Sequence, residues 1–274
     1  MNSRRLIIGD VHGRYNALRQ VLERAGYDDG RDILYSVGDF CDRGRDNLSV
    51  LEYLSSLRNF RPVLGNHDAW LQDFLRTGYV LSDNWYSNNG GYMTVASFGG
   101  VSREVRKRLS LWLDSIPYCR MEDGITVVHG GPVGRSLDDI RRPRDYERER
   151  EAEEIPDELW DRRYLRTAVL YEEWLKSDEK KDGMDFSRYS LRMRRHFSEL
   201  GSRTGNGEPY IASGSRMIFT GHSIVGDKPF TSEFFHITAI DTGAASKSGR
   251  LTCMDTDTME YWQSDIIDGT EEDY

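Results

Sequence analysis

A layered α/β fold is predicted by three observations. Short apolar runs alternate with helix-like stretches through the first half of the chain. Five of the runs end in a turn that carries a polar, ligand-type residue. The second half adds further apolar runs of strand length, broken by turn residues.

The first run, Leu6-Ile7-Ile8, ends in Gly9-Asp10-Val11-His12-Gly13, and residues 15–25 follow with Leu18, Val21 and Leu22 at helical spacing. The run at 33–37 ends in GDFCDRG, which contains Asp39, Asp42 and Arg43, ahead of a helix-like stretch at 46–58. The run at 62–64 ends in GNHD, Gly65 to Asp68, ahead of another at 68–76. Later, 125–128 ends in His129-Gly130-Gly131 and 217–220 in Gly221-His222. Residues 234–240 and 251–254 are the last strand candidates, with a turn-rich segment at 243–249 between them. Residues 135–216 differ in character. A charged run leads to a helix expected from about Asp157, capped by that acid, in which Tyr164, Ala168, Tyr171 and Leu175 recur along one face. A second helix is expected over about 185–200. We read a single domain over 1–264 with a helical cap at about 135–216, and an acidic tail over 265–274.

Composition narrows the function. The chain has 274 residues, 38% hydrophobic and 30% charged, with net charge -9. No apolar run approaches the roughly 20 residues of a membrane span, and the apolar run behind Arg4 and Arg5 is too short for a signal-peptide core. Cys41, Cys119 and Cys253 form no metal-binding or disulfide pattern. The expectation is a cytoplasmic protein with neither a membrane nor a nucleic acid as partner. The negative balance makes a phosphorylated substrate awkward unless cations or arginines reverse the charge locally.

Ligands of open α/β sheets lie beyond the carboxyl ends of the strands. Asp10, His12, Asp39, Asn66, His129 and His222 can therefore converge although they are distant in sequence. Carboxylate, imidazole and carboxamide donors without thiolate suit manganese, iron or zinc in five- or six-coordinate sites. Two acids, three histidines and an amide are too many for one ion. They fit two, about 3.5–4 Å apart, with one acid bridging.

The ordered series GDVHG, GDFCDRG, GNHD, VHGG and GH, with IDTGA at 240–244, resembles the phosphoprotein phosphatase family of calcineurin-like metallophosphoesterases. The likeness is to its small bacterial and bacteriophage members, over about 5–134 and 217–256. It implies a two-sheet β-sandwich flanked by helices, with a dimetal centre at its mouth. It implies that Asp10 and His12 hold one metal, that Asp39 bridges, and that Asn66, His129 and His222 hold the second. His67 matches the family's catalytic histidine, Asp42 its orienting partner and Arg43 a phosphate-binding arginine. The stretch LWDRR at 159–163 resembles a Trp-x-Arg segment of the phage enzymes that carries a second phosphate clamp, which points to Arg162, with Arg163 beside it. NNGG at 88–91 resembles a segment that would bring Asn89 near the site.

The implied reaction is hydrolysis of phosphomonoesters by a hydroxide held between two divalent ions, manganese with iron or zinc as alternatives. The expected substrate is phosphoserine or phosphothreonine of a protein or peptide. One alternative is a nucleotide hydrolase like the diadenosine tetraphosphatases, towards which Asp68 leans. Another is an inactive protein that binds phosphorylated partners; the complete ligand set and the His67–Asp42 pair weigh against it.

Overall fold

The computed structural model describes residues 3–131, 159–194 and 215–267. Its strands are β1 (Arg5–Ile8), β2 (Ile33–Ser36), β3 (Phe60–Pro62), β4 (Cys119–Glu122), β5 (Ile125–Val128), β6 (Met217–Thr220), β7 (Phe230–Ser232), β8 (Ile237–Ala239), β9 (Thr252–Asp255) and β10 (Tyr261–Gln263). They form two mixed five-stranded sheets, ordered β10-β9-β1-β2-β3 and β4-β5-β6-β8-β7. Within each sheet three strands run parallel, β1-β2-β3 in one and β5-β6-β8 in the other. The remaining strands pair antiparallel at the flanks.

Alternation along the strands explains the layering. Ile7 and Tyr35 of the first sheet share a core cluster with Val127 and Phe219 of the second. Their neighbours Leu6, Ile8 and Leu34 point the other way, into a cluster with the apolar faces of α1 (Tyr15–Arg24) and α2 (Asn47–Ser56). Burial of each such side chain is worth roughly 1.5–3 kcal/mol. The helices α3 (Asn66–Thr77), α4 (Gly91–Ser97) and α5 (Arg103–Asp114) follow, with a π-helical turn at Asn84–Asn88 before α4. After them α6 (Arg163–Lys176) leads to the short helices Asp178–Lys181 and Phe186–Arg194.

Several expected boundaries move. The third strand was expected at 62–64 but pairs over Phe60–Pro62. Val63 and Leu64 are fully buried, so the apolar run marked burial at the strand's end rather than the ladder itself. Phe234–His236 belong to a turn, with His236 at φ 49, and only Ile237–Ala239 pair as a strand. Helix α6 starts at Arg163, whose backbone N–H donates to Asp161 Oδ1 at 2.6 Å. Asp157, the expected cap, lies outside the described residues. The expected stripe of α6 holds at Tyr164 and Ala168, which are buried, but Leu175 is 38% exposed. The tail expected from 265 starts docked: Asp265 accepts hydrogen bonds from Gln20 and Arg24, and Ile267 is buried. Among the described residues no helix is long and apolar enough to cross a membrane.

The start of β1 is tied down by one buried acid. Asp32 accepts from Arg4 Nη2 at 2.7 Å and from Arg31 Nε at 2.8 Å. Burial alone would lift its pKa, but the hydrogen bonds from Arg31 and Arg4 hold it well below the usual carboxylate range. Removing one partner of such a pair costs about 3 kcal/mol. Asp32→Ala should therefore lower unfolding stability by about that amount in a denaturant titration. Because the folded pKa is depressed, the contribution is present above the unfolded value of about 4 and is lost as pH falls below it. The gap between variant and parent should accordingly narrow in acid. A gap that stays constant down to pH 2 would show that Asp32 acts through packing.

Candidate active site

The parallel strands of both sheets end at one place. Asp10 and His12 follow β1, Asp39, Asp42 and Arg43 follow β2, and Asn66 and His67 open α3 behind β3. From the second sheet, His129 follows β5, His222 follows β6 and Asp241 lies beyond β8. The seam between the sheets is thus lined from both sides.

The turns that do this are tight. Gly38 has φ +99, and a Cβ there would sit 2.5 Å from the backbone nitrogen of Gly65, so the ends of β2 and β3 can meet only without one. A Cβ on Gly221 would lie 2.1 Å from Asp10 Oδ1. More unusual are the non-glycine residues in left-handed backbone: His12 (φ 48), Asp39 (55), Asp42 (72), Arg43 (68) and His222 (64). Such conformations cost about 1–3 kcal/mol each and concentrate where function over-determines them. Here the surrounding ladder enforces them. The backbone nitrogens of Val11 and His12 both donate to Asp39 O, at 2.9 and 3.0 Å, and Gly44 N donates to His12 O at 3.0 Å.

Each histidine is oriented by one ring nitrogen and presents the other. His12 Nδ1 lies 3.0 Å from Cys41 O, and His129 Nδ1 lies 2.7 Å from Val37 O. A carbonyl can only accept, so these nitrogens carry the proton and each Nε2 offers its lone pair inward. His129 Nε2 then faces two acceptors, Asn66 Oδ1 at 2.9 Å and Asp39 Oδ2 at 3.4 Å. Three electron-pair donors cannot converge without a cation or a proton among them. In the bare chain a proton meets the need: burial works to lower the pKa of His129, yet the charge and hydrogen bond of Asp39 outweigh it and raise the group to about 9.

The carboxylates show the same imbalance. Burial first, then Asp241, lifts Asp10 well above its ordinary value. Burial, opposed by the Gly243 N–H and reinforced by Asp39, lifts Asp241 to about 6. Two buried atoms here, Asp10 Oδ1 and His222 Nε2, have no hydrogen-bond partner among the described residues. Two groups among the described residues bring ligand atoms within 4.8 Å of one another: His12, Asp39 and His67, and Asp39, His129 and His222. Asp39 is shared by both. The donor set, its crowding and its orphaned atoms all fit a pair of divalent cations.

Beside this seam stands an imidazole of a different kind. His67 Nδ1 is 2.6 Å from Asp42 Oδ2, while its Nε2 is 3.3 Å from Arg43 Nη2. Asp42 is fully buried and is gripped by Trp85 Nε1 at 2.6 Å and by the Thr94 hydroxyl. Its place therefore depends on the π-helical turn and α4. Asp68 also follows His67, but it never reaches the cleft. It accepts the backbone N–H of Asp39, Phe40 and Gly65 at 2.7, 2.8 and 2.9 Å. Burial, then the Asp39 charge, pushes its pKa up to about 7.

The seam opens into a cleft of about 820 Å³ among the described residues. Arg43, Asn89 and Arg162 line it, as expected, and so does Arg166. Arg163 instead turns to Asp161, with which its side chain makes a close ion pair. Trp160 stands edge-on to both Trp70 and His222, with ring centroids 5.1 and 5.7 Å apart.

Four contributors escaped the sequence reading. Asp241 could have been found, because it follows an apolar run as the other acids do and lies in IDTGA. Arg166 is one helical turn beyond Arg162 and shares its face. Trp85 and Thr94 carried no signal, since nothing in their spacing ties them to Asp42.

Comparison with known proteins places this geometry. The family model for calcineurin-like phosphoesterases matches residues 3–225. A symmetrical bis(5'-nucleosyl)-tetraphosphatase of Edwardsiella ictaluri is 52% identical over 67 residues, covering 24% of this chain and 24% of that protein. Its counterpart in Aromatoleum aromaticum is 31% identical over 125 residues, covering 45% of this chain and 42% of its own length. The chain thus spans about a quarter of the first relative and under half of the second. A protein serine/threonine phosphatase of Saccharomyces cerevisiae superposes with TM-score 0.53 at 15% identity, over 93% of this chain and 73% of that one, a likeness of fold alone.

The expected phosphoprotein partner is therefore corrected, because the curated relatives are named for dinucleoside tetraphosphates and not for phosphorylated proteins. The physical reason lies in which residues carried that expectation. Asp42 is sealed behind His67, and Arg43 sits against the same ring. Both face the centre of the site and are blind to what a phosphate is attached to.

Proposed function

The chain belongs to the calcineurin-like phosphoesterase family, and from that premise we propose that it hydrolyses dinucleoside polyphosphates with two divalent cations held in the seam between its sheets. One observation carries the substrate: the identity shared with relatives named as symmetrical tetraphosphatases. The cleft agrees with it, since Arg43, Arg162 and Arg166 together offer more positive charge than a single phosphate needs.

In our reading Asp10 and His12 would hold one cation, Asn66, His129 and His222 would hold the other, and Asp39 would serve both. Manganese is the proposed ion, because the donors are oxygen and imidazole without thiolate. When bound, the cations would supply Lewis acidity, which neutralises phosphoryl charge and acidifies the attacking water. The side chains do the rest. Arg43 and Arg162 present planar forks to non-bridging phosphoryl oxygens, where charge must be stabilised. Asp42 holds the Nδ1–H of His67, so that when the ring also carries a proton on Nε2 that proton can pass to the leaving oxygen. Water adds to one inner phosphorus of a tetraphosphate, the central anhydride bond breaks, and two nucleoside diphosphates leave.

The test is a parallel kinetic assay of the manganese-loaded protein on diadenosine tetraphosphate and on phosphoserine and phosphothreonine peptides. The dinucleotide should be cleaved with at least about tenfold higher kcat/KM, a difference of about 1.4 kcal/mol in transition-state binding. Equal rates, or a preference for the peptides, would refute the reading.

A further inference from the structure

The cleft is longer than the reacting centre requires. Beyond His67 and Arg43 it is lined by Arg162, which caps α6, and along that helix by Leu165, Arg166, Val169 and Glu173 at helical spacing. The opposite wall is the segment after His222, with Ile224, Val225 and Phe230. Polarity changes in order along the cleft. On the helix side the lining residues run in chain order from Arg162 and Arg166 through Val169 to Glu173, and Trp160, edge-on to His222 at 5.7 Å, marks the end nearest the carboxylates and imidazoles. A phosphomonoester would leave the far half unused. Binding sites for small molecules are typically about 300–1,000 Å³, apolar, with a few placed polar groups. The volume of about 820 Å³ is large enough for a nucleotide rather than a lone phosphate.

We propose that the slot between α6 and the segment 223–230 seats a nucleobase of the substrate, with Arg162 and Arg166 on the phosphates that connect it to the reacting end. The proposal rests on the nucleotide reading of the site. A flat aromatic base matches a slot walled by Val169 and Leu165 on one side and by the Phe230 ring and Val225 on the other. Glu173, two helical turns beyond Arg166, offers an acceptor for base or ribose donors. The order of groups follows a nucleoside polyphosphate from its phosphates to its base, and it gives this site a means of choosing substrates by what lies beyond the phosphorus attacked.

Binding and kinetics test it together. Calorimetry on the manganese-loaded protein should show ADP binding at least about tenfold tighter than inorganic pyrophosphate, because only ADP can fill the slot. Val169→Trp, which fills the slot with protein, should abolish that advantage. It should also lower the ratio of kcat/KM for diadenosine tetraphosphate to that for an aryl phosphate by about tenfold or more. Phe230→Ala, which opens the opposite wall, should reduce the ADP advantage about three- to tenfold, the worth of one aromatic contact, and carries the test if Val169→Trp does not fold. No ADP advantage in the parent protein, or an advantage untouched by both variants, overturns the slot. The two readings fail separately. Dinucleotide hydrolysis without an ADP advantage sinks the slot and leaves the activity. A slot-dependent ADP advantage without dinucleotide hydrolysis sustains the slot and sinks the activity.

Discussion

Asp39→Asn should bind fewer than two divalent ions per chain and lose about three orders of magnitude or more in turnover. Asp39 Oδ2 lies 3.6 Å from His12 Nε2, 3.4 Å from His129 Nε2 and 4.0 Å from His67 Nε2, and among the described residues no other carboxylate joins both candidate ligand groups. An amide keeps the shape and removes the negative charge that two cations would share. The charge stabilisation at stake is several kcal/mol, and each 1.36 kcal/mol is a factor of about ten in rate. The fold should survive, because Asp39 Oδ1 accepts the backbone N–H of His67 at 3.1 Å and an asparagine oxygen can do the same. Elemental analysis of the purified variant, beside its kinetics, decides the matter. Two bound metals and near-normal turnover would end the dimetal reading.

His67→Asn should separate from the ligands by its dependence on the leaving group. For an alkyl phosphate the departing alkoxide needs a proton, and losing a general acid costs about 10²–10⁴-fold. For an aryl phosphate, or for the diphosphate that leaves a dinucleoside tetraphosphate, the departing oxygen is a far weaker base and the loss should shrink. Both metals should remain bound, since His67 is already committed through Nδ1 to Asp42 at 2.6 Å. Equal losses across alkyl, aryl and anhydride substrates would remove His67 from the role of acid. Loss of metal would make it a ligand, as its place beside His12 and Asp39 permits.

The parts of this molecule that could be read from its sequence are those with a local signature. A strand that ends in a ligand-type residue announces itself, and the six candidate ligands expected at such ends come together at the seam. The two-layer arrangement was legible for the same reason, because Ile7 and Tyr35 alternate with Leu6 and Leu34. What escaped depends on contacts between distant segments. Trp85 and Thr94 hold Asp42 across more than forty residues of sequence, and neither has a neighbour that hints at it. Helix α5 was missed although Leu109 and Leu113 are buried one turn apart, because charged residues surround them. Substrate choice was misjudged from residues buried at the reacting centre. The groups that could distinguish substrates lie along α6, where beyond the LWDRR stretch the sequence has a helical period but no motif.

The distribution of ligands along the chain has a consequence for how the protein is made. Among the candidate ligands Asp10 stands near one end of the chain and His222 lies far along it, and the first sheet itself is completed by β9 pairing back onto β1. The candidate group His12, Asp39 and His67 comes from the first sheet alone, whereas the group Asp39, His129 and His222 needs both sheets. A pair of cations would therefore be held in full only after the two sheets have met. Divalent ions should leave the refolding rate almost unchanged while slowing unfolding, so that their stabilisation appears as persistence of the native state.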